Sequence, residues 1–333
     1  MGGVFFSSPN IKGHFIDNNT KASAGSVLKG SIDIELKRNI GQGKICILFQ
    51  GTENISWKKS KIERNSYLNT NESSDTLTFY YRNWVVCEVR SLVKDFDSLS
   101  SGNHNFSYTL EIPKDIPSSF SYSCYHRTAT ILYTLSIVLM TNRTIQVISE
   151  KNLRISQMLL KDIYESKKSA LSNLKTWLFI NKGYNSINVK LLKDTFVPRD
   201  IIHFFIDIDN SISKLNVNGI ECRVFFEGTI KVSAYNKLYF SEVLIVKKIF
   251  HRVLSGEKCE NLEITCDLAS VADYLDGLYS TNSNLIDCNY FIEIKLDMDG
   301  KLMFRGRPPK IYFPIFIVPE ITQKVSNNMI PKL

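Results

Sequence analysis

The sequence predicts an all-β protein made of two tandem antiparallel β-sandwiches, and three observations point there. Apolar residues recur at every second position in both halves, as in strands with one face on a core and the other in water. Turn residues separate these runs, and no regular helical stretch lies between them, which excludes a parallel α/β sheet. At 333 residues the chain is long enough for two domains with cores of their own.

Taken in order, Ile32, Ile34 and Leu36 alternate with Ser31, Asp33 and Glu35. Residues 45–49 are continuously apolar, as expected of a strand covered on both sides, and Gly41-Gln42-Gly43 before them offers the positive-φ positions of a tight hairpin. The Lys-, Asn- and Ser-rich stretch 58–76 is expected as a long loop. Phe106, Tyr108, Leu110 and Ile112 alternate with Ser107, Thr109 and Glu111, and 131–139 is again continuously apolar. From 149 to 176 Lys, Ser and Leu replace the β-branched alternation, and Ile155, Leu159 and Ile163 recur at a spacing that permits a helical turn or two. In the second half 201–208, 220–226 and 311–318 are expected as central strands, and Tyr290, Ile292, Ile294, Leu296 and Met298 alternate with Phe291, Glu293, Lys295 and Asp297. Asn218-Gly219 and Asp299-Gly300 are expected as hairpin turns, and 267–284 as a second long loop. The organisation expected is a first sandwich over 1–148, a linker over 149–172, a second sandwich over 173–320 and a short tail over 321–333.

Forty-one Lys and Arg against 33 Asp and Glu leave a net charge of +8, which favours anionic partners: phosphorylated peptide, anionic lipid or nucleic acid. Seven scattered cysteines and a start without the pattern of a signal peptide are expected of a reduced, intracellular protein. The longest uncharged apolar stretch, 128–142, is shorter than the roughly 18 residues a spanning helix needs.

Little points to catalysis. There is no G-x-S-x-G elbow, no phosphate loop and no H-E-x-x-H. Cys259 and Cys266 are too far apart for a zinc pair, and Asp297-x-Asp299-Gly300 lacks the closing Glu of a calcium loop. Neither cofactor nor metal nor enzymatic activity is expected. The polar features with a direction are basic clusters, at Lys58, Lys59 and Lys61 after Trp57, at Lys247 and Lys248 before His251 and Arg252, and at Arg305 and Arg307. Lys58, Lys59 and Lys61 are the candidate anion- or phosphate-binding residues. No nucleic-acid module accompanies them, so nucleic acid is not an expected partner.

Several segments, in order, resemble the arrestin family, and its α-arrestin (arrestin-domain-containing) branch most. Phe15-Ile16-Asp17-Asn18 with Gly25-Ser26-Val27-Leu28-Lys29-Gly30 looks like the family's first strand and the entry to the next. Phe49-Gln50-Gly51-Thr52-Glu53 through Trp57 resembles its L-x-G strand ending in Trp. Gly102 to Tyr108, Pro113, Ile116-Pro117-Ser118-Ser119-Phe120 and Ile131-Leu132-Tyr133-Thr134-Leu135 resemble the series that closes an arrestin N-domain. Phe196-Val197-Pro198-Arg199-Asp200, Ile208-Asp209-Asn210-Ser211, Tyr290-Phe291-Ile292 and Pro314-Ile315-Phe316-Ile317 resemble strands of the C-domain, with Arg199 standing where the family has Gly.

The resemblance implies a non-enzymatic adaptor that binds cytoplasmic tails of membrane receptors or transporters and supports their endocytosis, sorting or transport. It implies a cytoplasmic location, peripherally at plasma membrane or endosomes, with anionic lipid as a further contact. Arrestins that bind phosphorylated receptors use lysines on the first strand, and Lys12 lies at the matching place. Pro308-Pro309 is followed by Tyr312 one residue too late for the Pro-Pro-x-Tyr ligase motif, so any ubiquitin ligase is expected to act through another protein. A retromer-like coat or scaffold subunit is the alternative that keeps the fold.

Overall fold

The computed structural model describes residues 10–63, 74–124, 127–142, 144–157, 165–175, 180–233, 236–299 and 308–319, with the backbone alone for 59–63 and 74–80. The first sandwich runs through β1 (Ile11–Phe15), β2 (Lys21–Ser23), β3 (Val27–Leu36), β4 (Gly43–Glu63), β5 (Ser74–Phe96), β6 (Gly102–Glu111), β7 (Phe120–Cys124), β8 (Arg127–Thr141) and β9 (Ile145–Ser156). The second runs through β10 (Ser166–Lys175), β11 (Asn181–Leu191), β12 (Thr195–Phe196), β13 (Ile201–Asp209), β14 (Val217–Lys231), β15 (Lys237–Ile249), β16 (Lys258–Asp267), β17 (Thr281–Asn282), β18 (Ile286–Met298) and β19 (Lys310–Ile317).

The sheets repeat. In the first sandwich β1-β3-β6 faces β2-β9-β8-β4-β5, with β7 on β8; in the second β11-β13-β16 faces β12-β19-β18-β14-β15, with β17 on β18. Adding ten to each strand number converts one into the other, and β10 is the extra strand, added beside β11. Even the exceptional parallel pairs correspond, β2 with β9 and β12 with β19. The equivalent strands β4 and β14 carry matching runs, Phe49-Gln50-Gly51-Thr52-Glu53 and Phe226-Glu227-Gly228-Thr229-Ile230.

Alternation decides the faces. Ile32, Ile34 and Leu36 of β3 are buried while Asp33 and Glu35 are exposed, and Tyr290, Ile292, Ile294, Leu296 and Met298 of β18 all point into the second core. Each such side chain contributes roughly 1.5–3 kcal/mol on leaving water.

Four expectations need correction. Of the stretch 58–76, residues 58–63 and 74–76 belong to strands, pairing of β4 with β5 continuing from Lys59↔Thr78 to Glu63↔Ser74 through backbone groups that any side chain leaves free to pair; 64–73 lie outside the described residues. The stretch 149–172 holds the end of β9, with Leu153 and Ile155 buried by alternation, and the start of β10; Leu159 and Ile163 lie outside the described residues. Gly41, Gly43 and Gly219 are not among the positive-φ glycines, and Asn218-Gly219 lies inside β14 at a shift of register against β18. There a Cβ on Gly219 would stand 2.4 Å from the Ile249 carbonyl oxygen, so close backbone approach explains the glycine. Finally, 267–284 contains a short 3-10 turn, Leu268–Val271, and a single α-turn, Ala272–Leu275, anchored by buried Leu268, Leu275 and Leu278. Arg199 needs no left-handed backbone: Asp200 closes that turn by accepting from the Val197 N–H at 3.1 Å and the Lys193 ammonium at 2.6 Å.

Candidate functional site

The two sandwiches meet along a seam built by β4, β5, β7 and β9 on one side and by the β14–β15 hairpin and residues 276–287 on the other. At its centre Glu53 of β4 has no exposed surface. One carboxylate oxygen accepts the Ser283 hydroxyl and, at 3.0 Å, the Leu285 N–H; the other oxygen has no partner among the described residues. Burial pushes its pKa up, and the hydrogen bonds from Ser283 and Leu285 and the nearby Lys231 offset part of that shift. Lys231 itself is engaged elsewhere, donating to the Ser283 carbonyl at 2.9 Å and to Asp287.

Beside this clamp, Arg82 of β5 donates to the carbonyls of Lys231 and Val232 at 3.2 and 3.3 Å. Tyr122 of β7 stacks on Phe240 of β15, with centroids 4.3 Å apart, and meets the Phe226 ring edge-on. Phe240 lies over Gly228, where a Cβ would stand 1.9 Å from the ring. Burial, followed by the neighbouring Cys124, pushes the Tyr122 phenol up to about 12. At the far end Arg154 of β9 pairs with Asp276, which also accepts the Tyr279 hydroxyl at 2.9 Å, and the Ser121 N–H donates to the Gly277 carbonyl.

At the head of the seam lies an open pocket of ≈ 390 Å³ lined by Trp57 and Lys58 of β4, Arg127 of β8, and Val232, Asn236, Lys237 and Leu238 of the β14–β15 hairpin. Among the described residues no carboxylate lines it, and neither Arg127 nor Lys237 has an ion-pair partner. Three cations from separate strands around an aromatic ring and an amide suit an anionic group.

Of the residues singled out in the sequence, Lys58 lines this pocket. Lys59 and Lys61 pair within β4 by their backbones, and their side chains lie outside the described residues. Lys12 is exposed on β1 opposite Glu35, in the other sheet, and is not part of the pocket lining. Arg127 and Lys237 escaped notice because each is a single cation at the start of a strand, and only folding brings them to Lys58.

His251 and Cys259 approach to 3.3 Å, but burial pushes that thiol up, away from the reactive thiolate. Among the described residues no group of His, Cys, Asp and Glu could hold a metal ion, and no helix is long and apolar enough to cross a membrane.

The model of the arrestin (or S-antigen) N-terminal domain matches residues 15–160, and that of the arrestin C-terminal domain matches residues 181–320. No curated protein matches the chain. The two models fall in order on the two sandwiches and leave between them only residues 161–180, which hold β10; the chain belongs to the arrestin family.

Proposed function

We propose that the chain is a non-enzymatic adaptor of the α-arrestin kind, which binds cytoplasmic parts of membrane receptors or transporters and supports their endocytosis or sorting. The pocket at the head of the seam carries this reading, because Arg127 of the first sandwich and Lys237 of the second are both exposed at its rim. An anionic segment lying there would touch both units at once. Lys58, Arg127 and Lys237 also favour an anionic membrane surface, by about 1 kcal/mol for each cation close to it.

Reversing two of these charges, Arg127→Glu with Lys237→Glu, is expected to weaken binding to phosphatidylserine-containing vesicles about tenfold or more, with the wild-type affinity itself falling steeply with salt. Unchanged binding would remove the pocket from the anion-binding surface. Proximity labelling in cells tests the adaptor role itself. Receptors or transporters together with sorting machinery support it; a fixed, stoichiometric set of coat subunits would replace it with the retromer-like reading.

A further inference from the structure

The second sandwich contains a pair of thiols that the seam and its pocket do not use. Cys222 of β14 and Cys266 of β16 belong to opposite sheets and face each other across the core, Sγ to Sγ 3.2 Å, both without exposed surface. A disulfide holds its sulfurs at about 2.0 Å, so the two need to close by about 1.2 Å.

Their surroundings differ. Lys247 of β15 donates to the Thr265 carbonyl at 2.6 Å, directly beside Cys266. The hydrogen bond between the two sulfurs, in which either thiol can donate, and the Lys247 charge hold the Cys266 thiol below its ordinary value against its burial, whereas the same bond and burial push the Cys222 thiol up against Lys247. The strands decide which sulfur attacks and which resolves, since Cys266 sits on an edge strand and Cys222 on a central one between β18 and β15. Access comes from topology: β16 is the free edge of its four-stranded sheet, paired only with β13, and that pairing already shifts register between Ile206 and Ile208. Edge strands open locally at less cost than central ones.

We propose that Cys222 and Cys266 are a peroxide-sensitive thiol pair, which hydrogen peroxide or an organic hydroperoxide closes into an inter-sheet disulfide. The Cys266 thiolate attacks one peroxide oxygen and the O–O bond breaks. That oxygen stays on sulfur as a sulfenic acid, and the other leaves as water, or as an alcohol, with the thiol proton. Cys222 then attacks the Cys266 sulfur, the S–O bond breaks, and a second water leaves with the Cys222 proton. Two thiols are oxidised and one peroxide is reduced. The bond closes a loop from 222 to 266, which contains the β14–β15 hairpin and with it Asn236 and Lys237 of the pocket.

The test uses the full chain in a Cys259→Ser background, exposed briefly to hydrogen peroxide. Free thiols are then blocked and the protein is cut with trypsin and an Asp-specific protease. Peptide 215–223 joined to peptide 259–266, lighter by two hydrogens and released by dithiothreitol, is the expected product. The melting temperature is expected to rise by roughly several degrees and to fall back on reduction. Cys222→Ala and Cys266→Ala, checked by far-UV circular dichroism, should each abolish both effects. The peptide map of the parent protein decides the matter even if these variants fold poorly. The proposal is overturned if both thiols remain blockable, if Cys266 goes on to sulfinic acid without a link, or if the link forms to Cys288 instead.

Discussion

Phe49 to Glu53 in β4 and Phe226 to Ile230 in β14 are the same stretch of strand in two sandwiches, and they end differently. Both phenylalanines are fully buried, and both glycines make room for a ring, Tyr133 over Gly51 and Phe240 over Gly228. The last position is buried in each, by Ile230 at 1% exposure and by Glu53 at 0%. A sandwich interior asks for the isoleucine. The carboxylate in the first unit makes sense only across the seam, where Ser283 and Leu285 of the second unit supply its donors. A buried polar group without such partners would cost a few kcal/mol, so Glu53 marks the place where one sandwich depends on the other.

The largest effect that can break this comparison is expected on the apolar side. Phe240→Ala uncovers Gly228 and removes the ring stacked on Tyr122, and should cost about 3 kcal/mol in thermal or denaturant unfolding. A cost below about 1 kcal/mol would mean that the stack does not hold the seam. Next comes Glu53→Ala, which leaves the Leu285 N–H without its acceptor and the Ser283 hydroxyl with the Ile286 carbonyl alone, and should cost about 1–3 kcal/mol. The same residue sharpens the comparison through pH. Because burial raises the Glu53 pKa above its ordinary 4.5, the native state holds a proton that the unfolded chain has lost. Stability is expected to fall as pH rises from 4.5 through the raised value and then to level off. Glu53→Gln should flatten that part of the profile, and a profile identical to wild type would mean that Glu53 is ionised like a surface carboxylate. The smallest effect is expected at the far end of the seam. Arg154 and Asp276 are each 47% exposed, so Arg154→Ala should cost only about 0.2–1 kcal/mol, a difference that high salt erases.

The all-β class and the two units were legible because alternation is a local property: Ser31 to Leu36 alone tells which face is inward. The length of the β4–β5 hairpin was not, since Lys59, Lys61 and their partners Thr78 and Thr76 pair through backbone groups that leave no trace in hydropathy. Gly219 misled for a related reason, being small for the sake of the Ile249 carbonyl rather than for a turn. Of the pocket, Lys58 was visible as part of a cluster, whereas Arg127 and Lys237 acquire meaning only from the meeting of β8 with the second unit's hairpin. Glu53 gave no hint at all, because Thr-Glu-Asn is an unremarkable triplet and its donors lie more than 200 residues further on.

That separation has a consequence for how the chain assembles. Glu53 and Ser283 are 230 residues apart, so the clamp can close only after both sandwiches exist, as a docking of two finished parts. During synthesis the first sandwich emerges alone, with Tyr122 and the Glu53 carboxylate on the face that still lacks its cover. Ionised in water, that carboxylate discourages the bare face from pairing with other chains while translation finishes. One residue thus serves in turn as a guard against premature association and as the acceptor that receives the proper partner.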